Sequence, residues 1–207
     1  IRMQQHSVDS GVFIRSMATR GSHGGLPRAA KRVVKLLDAF GKDIIFIETV
    51  GVGQTELEIV DVADTVVVVL VPEAGDAIQA LKAGLTEIAD IFVVNKADRP
   101  GADQFVSELS QVMGFSSVNA EWKPPILLTQ AHNNLGIAEL YQAVDDHHRM
   151  LIDTGQLETR RQRRRKREFL KSINDILAIR LQHLSEHEGE LSEMVRRVEE
   201  GSIDPYW

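Results

Sequence analysis

The chain has 207 residues, 43% hydrophobic and 26% charged, with 24 Lys and Arg against 30 Asp and Glu for a net charge of −6. This is a globular composition, and its acidic balance makes nucleic acid a poor partner. Zero cysteine excludes disulfides, zinc–thiolate sites and cysteine nucleophiles, and leaves a reducing cytoplasm as the default compartment. No apolar run approaches the ~20 residues of a membrane span, so no membrane partner is expected.

The first helical pattern is Arg28–Phe40, with Val33, Val34, Leu36, Leu37 and Phe40 along one side and Gly41 as its stop. Ile44–Ile47, Val66–Val71, Ile91–Val94 and Ile126–Leu128 are short, continuous apolar runs rich in β-branched residues. Parallel strands covered on both faces have this character. Between them, Ala77–Ile88 carries Ile78, Leu81, Leu85 and Ile88 on one stripe, and Phe105–Met113 and Ala138–Met150 read the same way. The alternation predicts an α/β domain with a parallel sheet over residues 1–150.

From 151 to 207 strand signals stop. Arg160–Arg167, broken only by Gln162, forms a basic run with Lys171. Phe169, Ile173, Ile176, Leu177, Leu181 and Leu184 then repeat at helical spacing, and Glu190–Val198 is a second helix ending at Gly201. The basic run reads as a solvated or subunit-facing helix surface rather than a nucleic-acid site. His147–His148, and His183 with His187, read as helix-face histidines, since no carboxylate constellation accompanies them.

Chemistry concentrates at strand ends, where ligands of open α/β sheets bind. Asn95-Lys96-Ala97-Asp98 follows Ile91–Val94 directly, and NKxD in that place is a guanine-recognition motif. A carboxylate at Asp98 can accept from N1–H and the exocyclic amine of guanine, both absent in adenine. Sites built this way reject the wrong analogue by about 10⁴-fold or more. Asn95 would brace the loop and face N7, with the Lys96 stem over the base plane. Glu48, after Ile44–Ile47, can hold Mg²⁺ through a water; Gly51 lets a backbone N–H approach a terminal phosphate, and Gln54 could orient an attacking water. Thr129-Gln130-Ala131, after the last strand, occupies the place of a loop whose N–H contacts guanine O6.

ETVGVGQ (48–54), PEAGDAIQALKAG (72–84), VVNKAD (93–98) and WKPP (122–125) together resemble the MeaB/ArgK family of P-loop GTPases, also labelled LAO/AO transport ATPases. The likeness covers essentially the whole chain. It implies a P-loop GTPase-type parallel sheet flanked by helices, GTP/GDP and Mg²⁺ as cofactors, and a homodimer formed through 151–207. It further implies a cytoplasmic GTP-hydrolysing chaperone that gates cofactor loading or protection of an adenosylcobalamin-dependent mutase of the methylmalonyl-CoA type. Asp76, Gln79 and Lys82, spaced by three on one polar arc, would then form a switch reporting nucleotide state to that mutase.

One motif is missing. P-loop GTPases need GxxxxGK[ST], yet the sole Gly-Lys pair, Gly41-Lys42, precedes Asp43 at a helix-to-strand junction. By the resemblance Ile1 aligns just after the P-loop and first switch. The expectation is a piece of a longer protein, lacking the first strand and inactive alone. Three other readings stand beside it: a kinase or ATPase linked to periplasmic amino-acid transport, a metal-delivery GTPase (disfavoured by zero cysteine), and a non-catalytic docking and dimerisation fragment.

Overall fold

A computed structural model describes residues 3, 6, 8–17, 28–49, 56–72, 85–114, 121–187 and 189–204. The chain divides into two units, Ile1–Leu157 and Glu158–Trp207.

The first unit is built on a parallel sheet of β1 (Val67–Leu70), β2 (Ile91–Asn95) and β3 (Ile126–Thr129), in that spatial order. Val94 pairs with Leu70 and Leu128, and Asn95 with Thr129. The helices are α1 (Arg28–Ala39), α2 (Ala102–Gly114) and α3 (Ile137–Asp153). Phe92 and Val94 of β2 join Val66, Val68, Leu70 and the α2 residues Phe105 and Leu109 in one core. The period-two alternation of a strand turns Ile91 and Val93 to the other face, and α3 packs on β2 and β3. Each large apolar side chain buried here contributes about 1.5–3 kcal/mol. Being central, β2 is buried from Ile91 to Val94.

Helix α1 ends where the sequence predicts. Gly41 sits at φ +76°, donating its N–H to the Asp38 carbonyl at 2.9 Å while Lys42 N–H reaches Leu37 O at 3.1 Å. This paired closure of a helix end needs the left-handed conformation that glycine adopts freely.

The expected strand Ile44–Ile47 does not form. The segment has no strand pairing, and Phe46 is 91% exposed. An apolar run becomes a strand only when neighbours take its N–H and C=O groups, and among the described residues none does. Of the expected helix Ala77–Ile88, residues 77–84 lie outside the described ones, and Thr86–Ile88 is a single helical turn.

The amino ends of the strands are tied by side chains. Asp90, just before β2, accepts the Val66 N–H at 2.8 Å through Oδ2. Its Oδ1 lies 3.1 Å from His147 Nε2, within ionic reach but off the line of a good hydrogen bond. On the other side of the ring, Nδ1 is 2.9 Å from Thr65 Oγ1. Trp122 Nε1–H donates to the Asp90 carbonyl at 2.7 Å, and its ring lies 4.9 Å from that of His147. His147, which the sequence places only on a helix face, is fully buried. It stands one turn from the equally buried Leu151, on the α3 face turned inward.

The second unit is helical. Its elements are α4 (Gln156–Glu186, which begins just before the unit boundary) and α5 (Glu190–Glu199). Phe169, Ile173, Ile176, Leu177, Leu181 and Leu184 on α4 are all exposed. The Arg165 guanidinium donates to Glu158 at 2.5 Å, and that hydrogen bond, with a second from Gln162, holds the Glu158 carboxyl below its ordinary value. The rings of His183 and His187 stack at 3.9 Å. No helix among the described residues is long and apolar enough to cross a membrane.

Candidate functional site

The carboxyl ends of β2 and β3 lie side by side because Asn95 and Thr129 are register partners. From there the two loops are cross-bonded. Asn95 Oδ1 accepts from the Thr129 hydroxyl and from the Ala131 N–H, both at 3.1 Å. Ala97 N–H donates to the Thr129 carbonyl at 3.0 Å. Thr129 is 2% exposed, so its hydroxyl is bonded largely out of water, where a buried polar group left unpaired costs most, while the Ala131 bond is exposed.

The loop after β3 is further closed on itself. Gln130 and Leu135 exchange backbone bonds at 3.0 and 3.3 Å, and Asn133 Nδ2 donates to Gln130 Oε1 at 2.9 Å. Among the described residues two non-glycine positions have positive φ, Lys96 at +57° and Asn134 at +56°. Both fall in this site. For a lysine the left-handed conformation costs about 1–2 kcal/mol, and such local strain clusters where a loop's shape serves a ligand.

Asn95, Thr129, Gln130 and Ala131 are thus brought together, with the exposed Lys96 and Asp98 on the same loop as Asn95. The Ala131 N–H expected to face O6 already has an acceptor in Asn95 Oδ1, so a base carbonyl there would share that proton. Glu48 is exposed and bonded to no described residue. Gly51, Gln54, Asp76, Gln79 and Lys82 lie outside the described residues. Among the described residues no group of three or more His, Cys, Asp or Glu side chains is placed to hold a metal ion.

Three contributors escape a motif-based reading. Asn134, Leu135 and Gly136 shape the loop that carries Ala131; their signal is the turn-prone Asn-Asn-Leu-Gly directly before a helix.

Residues 1–186 match the family model described as methylmalonyl Co-A mutase-associated GTPase MeaB. A Pyrococcus abyssi protein provisionally named a GTPase is 49% identical over 100% of this chain and 64% of its own length. The mouse mitochondrial methylmalonic aciduria type A homolog is 31% identical over 99% of this chain and 50% of its own. In structure, the chain resembles a crystal structure of an LAO/AO transport system kinase, with a TM-score of 0.64 and 26% identity over 86% of this chain and 58% of that one. The chain therefore spans between half and two thirds of these relatives.

Proposed function

The chain belongs to the MeaB family of methylmalonyl-CoA mutase-associated GTPases, and from that premise we propose that the protein carrying it binds guanine nucleotide, hydrolyses GTP and gates cofactor loading or protection of a cobalamin-dependent acyl-CoA mutase. The observation that carries the nucleotide reading is Asn95, whose single Oδ1 joins the two strand-end loops. This bracing leaves Asp98 exposed at the loop end, where its carboxylate accepts from N1–H and the 2-amine of guanine. Asn95 faces N7, Lys96 covers the base plane, and the Thr129–Ala131 loop takes O6.

The phosphate half rests on family membership. Glu48 suits a cation reached through water, because Mg²⁺ keeps several waters and takes one or two carboxylates alongside phosphate oxygens. Bound there, the ion would neutralise charge developing on the transferred phosphoryl oxygens. Gly51 would donate its N–H to the terminal phosphate, and Gln54 would orient the attacking water. Asp76, Gln79 and Lys82 would report nucleotide state to the mutase, and 151–207 would hold two copies together through the exposed stripe of α4. Such a stripe is sticky without a partner. The kinship to an LAO/AO transport system kinase keeps phosphoryl transfer to a protein as the second reading.

Asp98→Asn tests the base reading in the full-length protein. It should weaken GTP binding by about 1–3 kcal/mol, the cost of an unpaired buried polar partner. Preference should move toward xanthine nucleotides, whose 2-oxo group accepts where guanine donates. Unchanged GTP affinity in calorimetry would remove the loop from the base pocket.

A further inference from the structure

The geometry points to Gly136 as the positioning residue that sets the 6-position selectivity of the base pocket. This inference rests on the guanine reading of the two loops. Gly136 opens α3 with φ +76° and ψ 3°. A Cβ built there would lie 2.2 Å from the Leu128 carbonyl oxygen and 3.1 Å from both Cα and Cγ2 of Thr129. The first contact is against backbone, so no rotamer change relieves it.

The β3 terminus can retreat only toward β2 and the NKAD loop, to which it is tied. On its far side Leu128 and Thr129 are laddered to Val94 and Asn95. Thr129 is also held by the Ala97 N–H at its carbonyl and by Asn95 Oδ1 at its hydroxyl. Any side chain at 136 therefore drives β3 toward the NKAD loop, a movement approaching an ångström before the contact becomes tolerable. Ala131 N–H, two residues beyond Thr129 and bonded to the same Asn95 oxygen, moves with it. Asp98 is three residues beyond Asn95 on its own loop, and its link to Gly136 is less direct, running through the Ala97 N–H bonded to the Thr129 carbonyl.

The consequence is directional. Filling this space should disturb the O6 contact more than the N1 and 2-amine contacts. The probes are GDP and 6-thioguanosine diphosphate, which differ only at the 6-position. In the full-length protein, wild type should prefer GDP. Gly136→Ala should lose GDP affinity on the order of 10- to 100-fold, the scale of a 1 Å misplacement, and lose most of its preference for oxygen over sulfur. Gly136→Asn carries the decisive comparison, because asparagine tolerates left-handed backbone yet still brings a Cβ. It should fold and lose the oxygen preference as fully as the alanine variant. A Gly136→Asn protein that keeps the wild-type preference overturns the proposal, as does one that loses affinity for both nucleotides equally. Asp98→Asn in parallel should weaken both nucleotides and keep the oxygen-to-sulfur ratio. If wild type binds neither nucleotide, the guanine reading itself falls rather than the role of Gly136.

Discussion

Two apolar runs of near-identical character meet opposite fates. Ile91–Val94 is the buried centre of the sheet, with Phe92 fully enclosed, while Ile44–Ile47 is unpaired and Phe46 is 91% exposed. Composition does not separate them, since one is Ile-Ile-Phe-Ile and the other Ile-Phe-Val-Val. What separates them is partners. The β2 run has a ladder on each side and helices over it, whereas no described residue takes the backbone groups of the other. A strand is a property of a neighbourhood, and an apolar β-branched run states only that it needs one.

The widest test of that contrast is a pair of identical truncations. Phe92→Ala should cost about 3–5 kcal/mol in denaturant unfolding, the range for a buried aromatic. Phe46→Ala in the same 207-residue chain should stay within about 0.5 kcal/mol, as for an ordinary surface change. Equal losses would break the comparison. The contrast is sharpened by repeating both in a protein of the relatives' length. A Phe46 cost that grows there toward that of Phe92 would show that the run has found its ladder.

A second, smaller effect belongs to the amino end of β2. Asp90→Ala removes the acceptor of the Val66 N–H, and a buried donor left unpaired costs about 1–3 kcal/mol. Asp90→Asn keeps an acceptor and should lose distinctly less in the same unfolding measurement. If the two variants lose equally, the charge facing His147 holds this end together rather than the bond to Val66.

Much of this was legible beforehand, and the gaps have causes. Continuous β-branched runs located β1, β2 and β3, and apolar positions at helical spacing located α1, α2, α3 and α4. The NKAD and TQA loops were legible because a strand end limits where a ligand can sit. Asn95 reaching Ala131 was foreseeable as bracing, though not as the bond that occupies the expected O6 donor. His147 was missed because burial of a lone histidine depends on which helix face turns inward, and Asp90, Thr65 and Trp122 come from distant parts of the chain. Gly136 was missed for a related reason: close backbone approach leaves only a missing side chain as its mark in the sequence.

The smallest expected effect extends the contrast between buried and exposed from apolar runs to carboxylates. Glu193, in the first turn of α5, receives Arg196 at 2.6 and 3.1 Å. The hydrogen bond to Arg196 holds its carboxyl below the ordinary 4.5, as Arg165 does for Glu158. A depressed carboxyl contributes stability that is complete above its ordinary value and is lost as pH falls through the lowered one. Helix content followed by circular dichroism should therefore hold steady from neutral pH down to about that ordinary value, then decline under more acid conditions. Because both pairs are exposed, water and salt screen them. Glu193→Gln should lose little helix at neutral pH, and 1 M salt should erase even that difference. An α5 that melts on Glu193→Gln, or an acid transition indifferent to salt, would mean that this carboxylate is engaged more deeply than its exposed position allows.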